Sequence, residues 1–320
     1  MSAAGGTAGR EAQPASTRDS YYGQPVIKQP VWHPEIPWYF FAGGLAGASA
    51  TLALACERSH PELARRAWWT ALAGVSVSPP LLISDLGRPS RFLNMLRMFK
   101  ITSPMSVGSW VLAGSGTSTG VVCLHLLTGR GPRAARLAKP VAALLGLPLA
   151  TYTGALIAQT AVPAWHEARR ELPALFAAGA AVSAGAAATA LAPAQDAEPA
   201  RRLALIGAIA ELGLVAAMEH RLDELGEVYH EGSAGAYGRL ARGLTAGGAI
   251  ILAGPGRRRR AAAVAGSAAL LAGAVCERWS VFKAGFQSAS DPKYTVASQR
   301  RRVRGGRGHG ASRRAVGAAQ

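Results

Sequence analysis

Apolar stretches long enough to cross a bilayer recur along this chain, and nothing else constrains its fold as strongly. A membrane-spanning helix needs about 20 mostly apolar residues. Eight stretches approach that length: 37–57, 67–85, 105–128, 139–160, 172–192, 202–219, 239–254 and 261–280. Each is bounded by charge, Pro or Gly. They are built from Ala and Gly more than from Leu and Ile, which allows close helix–helix approach in lipid. That choice, with polar tails, holds the mean hydropathy to +0.15. Pro79-Pro80 breaks into the second stretch, and the seventh is short and Gly-rich. The pattern predicts an all-α integral membrane protein with eight transmembrane helices.

Eight spans put both termini on one side. Basic residues flank the spans on both faces, so the positive-inside rule does not by itself orient the chain. The arginines from Arg300 onward are hard to translocate, which favours a cytoplasmic side for both termini of a multi-pass cell-membrane protein. Residues 1–30 have no apolar core and read as a flexible tail rather than a signal peptide. Residues 31–294 form the membrane domain, with halves at 37–160 and 172–280. Residues 295–320 form a basic tail placed to touch anionic membrane lipid.

The formal charge of +17 raises the question of nucleic acid. The arginines lie between apolar stretches and in the tail, with no basic soluble domain, so no nucleic-acid partner is expected. Cys56, Cys123 and Cys276 are far apart and make no metal-binding pair. None of the seven histidines lies in the middle of a span, where a b-type haem needs facing ligands. The chain is expected to bind no haem, iron–sulfur cluster or metal of its own.

Between the second and third spans, "PSRFLNMLRMFK" (89–100) places Arg91, Asn94, Arg97 and Lys100 three residues apart among apolar side chains. At helical pitch this is an amphipathic interfacial helix. An ordinary basic loop with snorkelling side chains is the other reading. Acids inside membrane segments are expensive and face partners. Asp85 ends the second span near Arg88, either as an ion pair or as a proton-delivering group. Glu211 sits mid-span, either as a protonated acid bonded to a neighbouring helix or as part of a proton path.

The strings "SDLGRPSRFLNML" and "TSPMSVGSW" resemble the NrfD/polysulfide reductase membrane-subunit family. So do "PWYFFAGGLAGASA" (37–50), "YTGALIAQTAVPAWHE" (152–167) and "RWSVFKAGFQSASDPKY" (278–294). The resemblance covers roughly residues 21–297. It implies two four-helix bundles and a non-autonomous subunit of an oxidoreductase complex. That subunit would exchange electrons between the quinone pool, menaquinone or ubiquinone, and an iron–sulfur ferredoxin-like partner. The partner would in turn serve a molybdopterin-type or multihaem catalytic subunit.

The resemblance also implies a quinone pocket in the N-terminal bundle. His33 matches the family's quinone-contacting histidine in position, and Tyr152 its hydroxyl donor. With Asp85 and Arg88 they form the expected quinone site, and Asp85 and His33 are the expected proton-transfer groups. Gln159, Trp165 and His166 end the fourth span on the same side. Plainer roles stand beside these: His33 in an interfacial aromatic belt with Trp32 and Trp38, and Tyr152 as a packed tyrosine. Two other functions fit an eight-span chain. A transporter or proton conductor predicts matched broken helices in the two halves, and only Pro79-Pro80 is a strong break. An anchor without quinone binding predicts indifference to loss of His33, Tyr152 and Asp85.

Overall fold

The computed structural model of this chain describes residues 27–86, 88 and 90–296. Most of both expected tails, Gly87, Pro89 and the Arg91 side chain therefore lie outside the described residues. Within them every regular element is a helix, and there is no strand. Eight helices are long: α1 (Glu35–Cys56), α2 (Pro61–Asp85), α4 (Pro104–Thr128), α5 (Pro132–Ala158), α7 (Leu172–Leu191), α8 (Glu198–Leu222), α9 (Gly232–Ala253) and α10 (Arg260–Ser290). Two are single short turns, α3 (Arg91–Met95) and α6 (Pro163–Glu167).

Proline opens many of these helices. It occupies the first turn of α2, α4, α5, α6, α7 and α8. Its fixed φ suits that position, and its missing N–H is not needed there. Ser103 caps α4 by accepting from the Ser106 N–H at 3.4 Å. Gly129, at φ 70°, closes the other end in the left-handed conformation.

Six helical segments are long and apolar enough to cross a membrane: α1, α4, α5, α7, α8 with the turn that follows it, and α10. The two long helices that fall short are α2 and α9. α2 opens with Glu62, Arg65 and Arg66, and α9 carries Arg239 and Arg242 among glycines. Two sequence expectations change. α2 runs unbroken from Pro61 to Asp85 with Pro79 and Pro80 inside it. The interfacial helix expected over 89–100 is helical only at Arg91–Met95, and turns at Leu96–Arg97 end it.

The interior is lined with small residues, and many large aliphatic ones point out. Ala46, Ala50, Ala53 and Ala142 are buried, whereas Leu144, Ile206, Ile209 and Ile250 are exposed. That distribution suits a lipid solvent and would be a liability in water. Small residues let α1 and α5 touch: a Cβ on Gly47 would lie 2.3 Å from the Gly146 carbonyl oxygen. Thr51 adds a hydrogen bond from its hydroxyl to the Ala143 carbonyl, at 3.1 Å.

Among the first four long helices, α1 packs on α2 and α5, and α4 on α5. Among the last four, α7 packs on α8 and α10, and α9 on α10. Contacts of α7 with α1 and α5 join the two sets. An aromatic seam reinforces the join. Trp165 of α6 stacks on Trp32 at 5.3 Å and donates from Nε1 to the Val281 carbonyl at 2.7 Å. Its ring lies where a Cβ on Gly285 would be, 2.0 Å from Cε2. The Ala-Gly of the 278–294 string is therefore the seat of the tryptophan in the 152–167 string.

Candidate functional site

The start of α1, the end of α2, α3, the start of α4 and the end of α5 converge at one end of the molecule. Between them is a narrow cleft lined by Trp32, Tyr39, Asp85, Met95, Ser109 and Tyr152, among others. Its free space is small, about 40 Å³, and about 500 Å³ with the open mouth included. A larger apolar groove, about 830 Å³, lies toward the other end of α1 and α5, against α7 and α8. It is wider, but its polar side chains are already engaged: the Thr51 and Thr151 hydroxyls donate to helix carbonyls, and Arg202 pairs with Glu198, so the smaller cleft is the better candidate for chemistry.

Asp85 is the centre of the cleft's polar wall. Its Oδ1 accepts the His33 backbone N–H at 2.8 Å and lies 3.2 Å from His33 Nδ1. The Asp85 side chain is 12% exposed and that of His33 61%. The pair thus links a nearly buried carboxyl to an imidazole in contact with water. The partner of Asp85 is His33, 52 residues away, rather than the neighbouring Arg88. Arg88 is exposed and does not line the cleft. His33 stands behind Asp85 rather than in the wall.

Tyr152 does line the cleft, and the reason lies in the motif opposite. A Cβ on Gly108 would be 2.1 Å from Tyr152 Cε2. Gly108, inside "SPMSVGSW", is the space that the tyrosine ring occupies. The serines of that string tie down the chain that roofs the site. Ser106 Oγ donates to the Met98 carbonyl at 3.0 Å and accepts from the Lys100 N–H at 3.0 Å. Ser109 Oγ donates to the Met105 carbonyl at 2.9 Å and lies 3.6 Å from Met95 Sδ. Trp110 Nε1 donates to the Met98 carbonyl at 3.4 Å.

The residue that sequence reasoning missed is Tyr39. It lies one turn inside α1, is 1% exposed and faces the cleft. Its hydroxyl has no hydrogen-bond partner among the described residues. A buried, unpaired hydroxyl is costly and marks a site that a ligand or water completes. A signal was available, a phenol inside the apolar run "PWYFFAGG", but nothing in the sequence says which way it points.

Of the other expected residues, Trp165 is buried behind Trp32, and Gln159 is exposed. Glu211 is 2% exposed but lies on α8, among the last four long helices, away from the cleft lining. No three His, Cys, Asp or Glu side chains converge as a metal-ligand set among the described residues.

The outward apolar face and the helices able to span a bilayer agree with what comparison finds. No curated protein matches the chain. Residues 25–289 match the family model described as "Polysulphide reductase, NrfD". The chain is therefore a multi-pass membrane protein of the NrfD family, whose members are membrane subunits of respiratory oxidoreductase complexes.

Proposed function

We propose that this chain is the quinone-reactive anchor of such a complex, with eight helices crossing the membrane as two four-helix bundles. Electrons pass between the cleft of the first bundle and an iron–sulfur partner docked over the end that carries it. The observation that carries this reading is the meeting of Tyr39, Tyr152 and Asp85 in one apolar cleft, with the Tyr39 hydroxyl unpaired.

A quinone bound in the cleft supplies two-electron, two-proton redox chemistry. This chain's side chains do the rest. Tyr39, and Tyr152 opposite, offer hydroxyl donors to carbonyl oxygens. Asp85 at the cleft wall and the exposed His33 beside it, 3.2 Å apart, form the route by which a proton passes between the cleft and water. Trp32, Phe40 and Leu156 keep the ring's surroundings apolar. Met95 and Met105 form the adaptable wall, and their movement makes room for a ring in a cleft this narrow. Arg88, exposed at the rim, contacts the partner or lipid headgroups.

Purification of the tagged chain in mild detergent tests the reading. An iron-containing partner and quinone-linked turnover are expected to come with it, and Tyr39→Phe is expected to lower that turnover. A colourless chain from intact membranes, with no quinone-linked turnover, would overturn the proposal.

A further inference from the structure

The last four long helices bury more charge than their hydrogen bonds account for. Glu211 on α8 is 2% exposed, and Glu277 and Arg278 on α10 are 4% and 2% exposed. Arg278 donates from Nη2 to the Phe176 carbonyl at 3.0 Å and lies over the Phe176 ring. Its Nε and Nη1, and both carboxyl oxygens of Glu211, have no partner among the described residues. Both side chains pack against Gly179. A Cβ there would lie 2.6 Å from Arg278 Nη2 and 2.9 Å from Glu211 Oε1.

The row continues to the surface. The charges of Arg278 and Arg242 both act on Glu277. Arg242 Nη1 binds Glu219 at 2.7 Å, and Glu219 lies 3.4 Å from His230 Nε2. The His230 side chain is 56% exposed. The Tyr229 hydroxyl, buried and unpaired, lies within electrostatic reach of Glu277 and Glu219. Two further cations lie nearby toward the exposed end: Arg239 donates to the His230 carbonyl at 3.4 Å, and Lys283 lies over the Trp279 ring. α7 contributes Phe176 and Gly179, and its preceding Glu171 is paired with Arg221. α1 contributes Phe40 against Phe176.

Three carboxylates, Glu211, Glu219 and Glu277, therefore face two guanidiniums, Arg242 and Arg278. The buried part of the row is one positive charge short, since Glu211 and Glu277 share the single guanidinium of Arg278. An uncompensated charge away from water costs far more than protonating a carboxyl. Glu219 has both Arg242 and His230 at its side, and Glu277 feels both guanidiniums. The shortfall falls on the deep end of the row, where Glu211 is unpaired.

We propose that the Glu211–Glu277 pair holds one proton inside the last four helices and exchanges it with the aqueous face through Glu219 and His230. The site binds a proton and has no room for a larger ligand on the Gly179 side, where even an added Cβ would collide with Arg278 and Glu211. The inference does not depend on the quinone reading, and its test needs no turnover.

The test is infrared difference spectroscopy of the full chain in its native complex, at neutral pH, in H2O and D2O. The wild type should show a carboxylic-acid C=O stretch that shifts in D2O. Glu211→Gln and Glu277→Gln should each remove it, because the remaining acid then pairs ionised with Arg278. Glu219→Gln or His230→Gln should slow the D2O shift without removing the band. A wild type with no such band, or a band that survives both deep substitutions, would overturn the proposal. An exchange rate unchanged by both surface substitutions would overturn the route.

Discussion

The two halves of the molecule treat acidic side chains differently. In the first half, Asp85 sits at a helix end, beside an imidazole that touches water, in the wall of a cleft. In the second, Glu211 and Glu277 are buried within helices, and a Cβ on Gly179 would collide with both Glu211 and Arg278. Depth and free space set what each can do. An acid in a cleft wall can serve a molecule that enters from the membrane. An acid with no free space around it can take only a proton or a water. The difference supports the proposal that quinone chemistry belongs to the first half and that the second holds charge.

The largest expected effect breaks the comparison if it fails. Asp85→Asn keeps the shape but removes the proton-carrying group, and quinone-linked turnover should fall on the order of 100-fold or more. Steady-state turnover of the complex measures it. Next is the seam that joins the halves. Trp165→Ala should cost about 3–5 kcal/mol by the usual scale for a buried aromatic, read as a lower unfolding temperature in detergent. Gly108→Val should cost about 1–3 kcal/mol through overpacking and depress turnover too, because the Tyr152 ring must move. Ala at the same position should fall between the two.

Tyr39→Phe is smaller and more diagnostic. Turnover should fall about tenfold, the worth of one hydrogen bond. Stability should hold or rise, since the unpaired hydroxyl is removed. A merely packed tyrosine would show neither change in turnover. The smallest effect lies outside the helices. Glu231 accepts from the Tyr294 hydroxyl at 2.9 Å and from Lys293 at 3.3 Å. The Tyr294 hydrogen bond first, then Lys293, holds its carboxyl below the ordinary value of 4.5. A depressed folded pKa gives stability that is present above the unfolded value and is lost as pH falls through the folded one. The melting difference between wild type and Glu231→Gln should be steady above about pH 4.5 and shrink below it.

Much of this was legible in the sequence because lipid imposes a length and a polarity on every crossing. All eight long helices were foreseen, although α10 runs to Ser290 and α5 begins at Pro132, well beyond their apolar cores. Charged helix ends such as "PRAARLAK" carry no hydropathy signal, so only packing reveals them. The strings flanking the cleft were visible, but not what they do. Gly108 reads as a small residue until the ring of Tyr152 is seen against it. Sequence spacing offers Arg88 as a partner for Asp85, whereas His33, 52 residues away, is the one near in space. Arg278 and Glu277 went unnoticed because they lie in what reads as the end of the last span, where charge is ordinary.

One measurement bears most directly on the central claim: photoaffinity labelling of the native complex in membranes with an azido-quinone, followed by peptide mapping. The account predicts label on peptides of α1, α2, α4 and α5 that border Tyr39, Asp85 and Tyr152, competed by unmodified quinone. Competed label confined to α7–α10, or to the apolar groove lined by Leu52 and Leu203, would contradict it.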